Sequence, residues 1–514
     1  MMSRYKIIHK NSFRLINTQI SSLLKNKNLV KNKAFINGSW VESTLNASTF
    51  DVKNPANGEL LAQVPKMKVD DAEKACFGAF NAWKTWKNTT PAMRSSLLYK
   101  MADLMVQNID DLAKIITLEA GKPLAESKGE ILYAASFYKF FAEEARRTYG
   151  TIIPSNVKGR SELVFKQSVG PAALITPWNF PSAMITRKVG AALAAGCTVV
   201  IKPSEETPLS ALALAAIAEE AGIPAGVFNC ITVDRSDISS IGNYLCHSEN
   251  IRKISFTGST AVGKILSRES TNTMKRVSME LGGNAPFIVF DDADIDVAIK
   301  ALLASKFRNA GQTCISSNRI LVQGKIYNEF SEKLTMRVKA LNVGNGLIEG
   351  TLMGPLINNQ GLNKVSRQVQ DCKDKGGNIL YGGFEIEALN SKGGSFYSPT
   401  VITNVTQQML PAIEETFGPI APLMKFDTED EAVTIANGTR FGLAAYACTK
   451  DLARAFRLAE SIETGMLGIN EGAISQDSTP FGGIKESGLG REGSFMGIDE
   501  YLETKFVCMG HGSQ

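Results

Sequence analysis

Histidine is nearly absent: the 514 residues contain three, at positions 9, 247 and 511. Chemistry built on imidazole, as general base or as metal ligand, is short of parts. The eight cysteines, at 76, 197, 230, 246, 314, 372, 448 and 508, form no CxxC pair. That spacing argues against a zinc site or a disulfide framework and suits a reducing compartment, and no metal is expected. No run reaches the roughly 18 apolar residues that a membrane span needs. The longest candidate, Val189 to Ile201, contains Gly190 and Gly196 and reads as buried α/β core. Acidic residues are missing from the start of the chain, the first being Glu42.

That last absence changes the meaning of the formal net charge of +5. Residues 1–33 carry eight Lys and Arg, and without them the body holds 48 basic against 51 acidic residues. A slightly acidic body gives no reason to expect nucleic acid or an anionic membrane as partner. The leader is basic and acid-free, with apolar Ile8, Leu15, Ile16, Ile20, Leu23 and Leu24. Such a stretch fits a mitochondrial import segment over 1–33, with the matrix as destination, whereas a secretory signal would need a continuous apolar core. A basic tail without a targeting role is the other reading.

What is present is ordinary for a soluble chain: 44% hydrophobic and 21% charged residues, in a length that predicts two or three domains. Asn37-Gly38 suits a two-residue hairpin turn. Helical patterning covers 70–86, 91–107 and 124–147. From residue 170 short apolar strands at 172–175, 198–201, 227–231 and 251–256 alternate with helices at 182–195, 208–221, 236–246 and 259–270. Such alternation indicates an α/β fold with a doubly wound parallel sheet covered on both faces. The pattern returns at 286–290, 294–309 and 319–323, which predicts a second α/β domain.

Several motifs carry chemistry. Gly258-Ser259-Thr-Ala-Val-Gly263-Lys264-Ile265 follows an apolar strand and opens a helix. It nearly spells a P-loop, but Ile265 stands where a magnesium-binding hydroxyl is needed, so a nucleotide-triphosphate hydrolase is disfavoured. A helix N-terminus facing a pyrophosphate remains, because exposed N–H groups and the helix dipole favour anions. Lys202 and Glu205 lie at the end of a strand, where open parallel sheets bind ligands. They could hold ribose hydroxyls, and a carboxylate there would repel a 2′-phosphate, favouring NAD over NADP; a solvated Lys-Glu turn is the plainer reading.

Cys314 sits in a loop of small and polar residues, Gly311-Gln-Thr-Cys314, unlike Cys197, Cys230 and Cys246 in apolar or helical settings. A thiol of ordinary pKa, about 8.5, is already partly thiolate near neutral pH, and nearby positive dipoles would raise that fraction, so Cys314 could act as nucleophile without histidine. Glu280, in Glu280-Leu-Gly-Gly-Asn284, could activate water as a general base, or be a surface carboxylate at a strand end. Asn179, between Pro177 and Pro181, could donate to a developing oxyanion, or satisfy loop backbone groups.

Taken in order, Pro177-Trp-Asn-Phe-Pro181, Phe256-Thr-Gly-Ser-Thr260, Glu280-Leu-Gly-Gly-Asn284, Gly311-Gln-Thr-Cys314 and Glu414-Glu-Thr-Phe-Gly-Pro419 resemble the signature set of the aldehyde dehydrogenase superfamily, over the chain from about Phe35 to its end. The resemblance implies that Cys314 is the nucleophile, Glu280 the base, and Asn179 with the Cys314 N–H the oxyanion hole. It implies NAD as cofactor, held by Thr176, Trp178, Lys202, Glu205, Gly258, Ser259, Gly263, Glu415 and Phe417. It implies an NAD-binding domain over 34–148 and 169–281, a catalytic domain over 282–476, and a small β oligomerisation arm over 149–168 and 496–510, in dimers or tetramers. Segments such as Ser305-Lys-Phe-Arg-Asn-Ala-Gly311 and Phe481-Gly-Gly-Ile-Lys-Glu-Ser-Gly488 read like the branch that oxidises succinate semialdehyde. Arg187, Arg308 and Ser475 would then bind the substrate carboxylate, for which arginine offers a planar fork; structural ion pairs are the alternative for both arginines. Rivals are glutarate semialdehyde as substrate, acyl transfer to coenzyme A, and a catalytically silent structural member. Some relatives carry a second cysteine two residues after the nucleophile; Ser316 stands there, so no disulfide switch is expected.

Overall fold

The computed structural model describes residues 20–44 and 47–511. An eight-stranded sheet runs in the order Ser39–Val41, Ala34–Ile36, Phe228–Cys230, Val199–Lys202, Ala172–Ile175, Lys253–Thr257, Arg276–Glu280, Gly488–Leu489. Its five central strands are parallel. The chain builds outward from Ala172–Ile175 to Phe228–Cys230 and then reverses direction at Lys253–Thr257, which lies on the other side of Ala172–Ile175. Ala172–Ile175 and Val199–Lys202 are buried throughout, which explains their continuous apolar sequences: helices cover both faces. At a reversal of strand order the carboxyl ends of two adjacent strands diverge and open a crevice.

A second sheet of seven strands runs Asn378–Tyr381, Thr400–Thr403, Ile420–Phe426, Ser317–Gln323, Ala285–Val289, Ala444–Cys448, Met466–Ile469, all parallel except the first. Residues 281–284 lead from the carboxyl end of Arg276–Glu280 into the amino end of Ala285–Val289. The carboxyl edge of the first sheet therefore meets the amino edge of the second. A third sheet, Thr151–Ile153, Arg160–Ser168 and Leu502–Gly510, is antiparallel and leaves Ile152, Phe165 and Phe506 exposed.

Most predicted elements stand within a few residues of their expected bounds. The helices Pro91–Gln107 and Pro208–Ala221 have the predicted ends, and the Asn37-Gly38 turn closes a hairpin with both residues at positive φ. Two differ. The helix Ile109–Ala120 went unpredicted, because it follows the preceding helix after the single residue Asn108. The helix expected to reach Asn309 stops at Lys306, and Asn309 and Ala310 then take left-handed φ of 51° and 54°. Of the expected leader, residues 1–19 lie outside the described residues, whereas Ile20, Leu24 and Leu29 are buried in the first core and the Asn26 N–H donates to Asp111 Oδ2 at 2.7 Å.

Candidate active site

Where the two sheet edges meet there is a cavity of about 860 Å³. The first sheet contributes the loops that leave its strands: Trp178 and Asn179 after Ala172–Ile175, Gly258 and Ser259 after Lys253–Thr257. The second contributes loops that enter its strands: Cys314 ahead of Ser317–Gln323, Glu415 and Phe417 ahead of Ile420–Phe426. Arg187, Arg308 and Ser475 complete the expected residues on its wall. Thr176, Lys202, Glu205, Gly263 and Glu280 are not on that wall; Thr176, Gly263 and Glu280 stand next to segments that reach it, through Pro177, Ser259 and Leu281, whereas Lys202 and Glu205 do not.

Backbone close approach sets this geometry. A Cβ on Gly283 would stand 2.5 Å from the Cys314 carbonyl oxygen, so the Glu280 strand end and the cysteine loop can touch only through glycine. Gly311 has φ +73°, and its Cβ would stand 2.2 Å from the Gly418 oxygen. Asn309, Ala310 and Phe417 hold positive φ without being glycine, and such strain gathers at sites where the surrounding structure over-determines the backbone.

Cys314 corrects the sequence reading. The residue is half-buried, yet the protein volume around its sulfur dominates: burial pushes the thiol up to about 12, against the Arg187 charge and the Ile315 N–H, which favour thiolate. The loop's small polar residues therefore do not give the sulfur a water-like setting, and the thiol is less acidic than the sequence suggests. Asn179 is buried; its Nδ2 donates to the Gln312 oxygen at 3.1 Å and its Oδ1 accepts from the Phe180 N–H at 3.1 Å. An amide has two N–H donors, so one remains.

Glu280 ends its strand buried, not at the surface, and neither carboxylate oxygen has a hydrogen-bond partner. Burial first, then the neighbouring Glu492, hold its carboxyl well above the usual range despite Arg187, Lys188 and Arg491. Glu492 itself forms close ion pairs with both Arg187 and Lys188. Burial works against its charged form, but these two cations outweigh burial and hold its carboxyl below the usual range. Arg187 thus makes one of the structural ion pairs weighed for it, yet its Nη2 is buried with no partner, and its guanidinium lies 4.0 Å from the centre of the Phe481 ring. Arg308 forms no ion pair among the described residues and lies 5.2 Å from the Phe180 ring.

The features expected to hold a dinucleotide fit one. Ser259 caps the helix Thr260–Thr271, its Oγ accepting from the Val262 N–H, and leaves that helix's N–H end open beside the cavity. Lys264, the residue that makes the P-loop likeness, turns away to Glu486 at 2.7 Å. Lys202 Nζ stands 3.9 Å from Glu205 Oε2, a separation that two ribose hydroxyls could bridge. The buried hydroxyls of Thr176 and Thr257 lack partners. Glu415 accepts the Gly283 N–H at 3.1 Å, and the rings of Trp178 and Phe417 meet edge to face at 5.4 Å. Among the described residues no group of three His, Cys, Asp or Glu could hold a metal, and no helix is long and apolar enough to cross a membrane.

The sequence reading missed several residues here. Tyr133 lines the cavity and shares a 2.5 Å hydrogen bond with Ser475; Lys364 lines it beside Glu415, and Glu130 lines it too, paired with Lys122, while Glu492 pairs with the lining Arg187. Only Lys122 had a local signal, in the helix-ending Gly121-Lys122-Pro123 turn.

Comparison with known proteins agrees with this geometry. The chain is 55% identical to a mitochondrial succinate-semialdehyde dehydrogenase of Mus musculus over 483 residues, 94% of this chain and 91% of that one. It is 50% identical to an NADP(+)-named succinate-semialdehyde dehydrogenase of Escherichia coli (strain K12) over 487 residues, 95% and 99% of the two chains. The crystal structure of betaine aldehyde dehydrogenase from Staphylococcus aureus in complex with NAD+ superposes with a TM-score of 0.91 at 35% identity, covering 94% of this chain and 96% of that one. The model of the family described as "Aldehyde dehydrogenase family" matches residues 40–507. A half-buried thiol and a spare amide donor, set where two α/β sheets meet, thus stand in a chain that belongs to the aldehyde dehydrogenase family.

Proposed function

We propose that the chain oxidises succinate semialdehyde to succinate with NAD, through an acyl thioester on Cys314. One observation carries this reading: a cavity containing a half-buried thiol also holds the Arg187 guanidinium, with a buried Nη2 that has no hydrogen-bond partner among the described residues, and Arg308, which forms no ion pair among them. A buried charged donor left unpaired is disfavoured by roughly 1–3 kcal/mol or more, and a substrate carboxylate would satisfy it.

Chemistry follows from the groups present. The Cys314 thiol gives its proton to water, its sulfur forms a bond to the aldehyde carbon, and the electron pair of the carbonyl bond moves to the former carbonyl oxygen as negative charge. The second N–H of Asn179 Nδ2 and the Cys314 backbone N–H donate to that oxygen. Bound NAD supplies the hydride acceptor. Loss of hydride from the adduct leaves a thioester carbonyl on Cys314. Glu280, held by no hydrogen bond, turns to the thioester and takes a proton from water; the hydroxyl adds, the C–S bond breaks, and succinate leaves with the thiolate restored. Arg308, Arg187 and Ser475, with Tyr133 bonded to Ser475, hold the far carboxylate.

NAD is preferred over NADP in this reading because the Glu205 carboxylate beside Lys202 would meet a 2′-phosphate with like charge. Steady-state kinetics on succinate semialdehyde, glutarate semialdehyde and propanal, with each cofactor, test both points. Succinate semialdehyde with NAD should have the highest kcat/KM, and Arg308→Ala should lower it on the order of 10²-fold while barely changing propanal. A preference for propanal would remove the arginine assignment, and a preference for NADP the role of Glu205.

We further propose that the sheet Thr151–Ile153, Arg160–Ser168 and Leu502–Gly510 covers its exposed Ile152, Phe165 and Phe506 against another copy of the chain. The acid-free leader supports a mitochondrial matrix location, with the removable part ending ahead of the buried Ile20. Cell fractionation and light scattering test these two: a cytosolic location or a single-chain mass would contradict the respective proposal.

A further inference from the structure

The loop that carries Asn179 is gripped at both ends by one buried ion pair. Lys122 Nζ donates to the Asn179 backbone oxygen at 2.7 Å and pairs with Glu130 Oε2 at 2.5 Å, with side-chain exposures of 1% and 0%. The other Glu130 oxygen accepts the N–H groups of Ser182 at 2.9 Å and Ala183 at 3.2 Å, where the next helix begins. Between these grips the Phe180 ring lies 3.9 Å from the ammonium. Lys122 is itself anchored. It follows Gly121, which ends the helix Ile109–Ala120 at φ 79°, and the nearby Leu124 N–H donates to the Gly346 oxygen at 2.9 Å.

We propose that Lys122 is a positioning residue for the Asn179 amide, setting the direction of the donor that meets the oxyanion. This rests on the assignment of Asn179 to that role. The physical reason is leverage. The Asn179 side chain is held by two bonds of 3.1 Å, to Gln312 and to its own loop at Phe180, so its orientation follows its peptide, whose oxygen accepts from Lys122 Nζ at 2.7 Å and from Asn309 Nδ2 at 3.0 Å. A buried ion pair adds little stability over apolar packing, but it fixes geometry, because its partners are satisfied in one arrangement only. Burial pushes the Lys122 ammonium down and Glu130 pulls it back up, so the charge depends on the pair remaining together. A displacement of a fraction of an ångström at the donor weakens stabilisation that exists only in the transition state.

The test is a double-mutant cycle of Lys122→Met and Asn179→Ala, read as the single-turnover rate of NADH formation at saturating succinate semialdehyde and NAD, with KM, NAD affinity and Tm measured alongside. Asn179→Ala should slow the rate by about 10²–10³-fold. Lys122→Met should slow it on the order of tenfold, with KM and NAD affinity within about twofold, and should have no further effect in the Asn179→Ala background. Equal factors in both backgrounds would overturn the positioning role while leaving Asn179 in place. A wild-type rate for Asn179→Ala would remove the oxyanion assignment itself, and this proposal with it. If Lys122→Met does not fold, Lys122→Gln, which keeps a donor without the charge, is read in the same cycle and against the same outcomes.

Discussion

Cys314→Ser is expected to lower kcat by on the order of 10⁴-fold or more while NAD still binds. The substitution keeps the shape of the loop, so the proposed cofactor contacts around Trp178, Ser259 and Glu415 should remain. What changes is the attacking atom. A serine hydroxyl is a weak nucleophile unless a base activates it, whereas a thiolate is intrinsically strong. At this position even the thiol is pushed up to about 12 by burial, and an alkoxide would be disfavoured far more by the same low-dielectric surroundings. Steady-state rates with a fluorescence titration of NAD check both halves of the prediction. Full turnover by the serine variant, or an acyl adduct found by mass spectrometry on another side chain, would end the thioester mechanism.

Glu280→Gln is expected to separate the two halves of the reaction. The first NADH should still appear as a burst equal to the enzyme concentration, and turnover should then fall by about 10²–10⁴-fold, the range over which a general base contributes. The variant should fold at least as stably as the parent. Glu280 places two buried carboxylate oxygens where nothing donates to them, and a neutral amide removes that buried acid. The pH dependence carries the same logic. Burial, with Glu492 next, holds the Glu280 carboxyl above the usual range, and burial pushes the Cys314 thiol up to about 12, so each keeps its proton to higher pH than it would in water. Each acts only after losing its proton, so wild-type kcat should rise as pH increases through neutrality. In Glu280→Gln the part of that rise due to the carboxyl should vanish. Normal turnover by the variant, or a wild-type rate that falls across neutral pH, would take Glu280 out of the role.

Legibility divided along physical lines. Strands such as Ala172–Ile175 and helices such as Pro91–Gln107 could be read because their signals are local: apolar runs, periodic faces, proline at a helix start. The cavity residues Asn179, Cys314, Glu415 and Phe417 could be read because each sits in a short motif of unusual residues at a turn. The partners that set their behaviour could not. Arg187 meets Glu492 across 305 positions and Tyr133 meets Ser475 across 342. No period or spacing connects residues that far apart. The helix Ile109–Ala120 was lost for the opposite reason, since one residue separates it from its predecessor and no break marks its start.

By itself the sequence determined which atoms could react and which strand ends would carry them: a cysteine in a loop of small and polar residues, a glutamate ahead of two glycines, an asparagine between prolines. Side-chain chemistry and turn propensity are properties of a residue and its neighbours in the chain. The tertiary structure decided how those atoms are protonated and aimed. Folding removes water from Cys314 and Glu280, brings Arg187, Lys188 and Glu492 together behind them, and holds the Asn179 peptide on Lys122. The strength of a charge depends on everything that surrounds it in space, and only the closed fold supplies those surroundings.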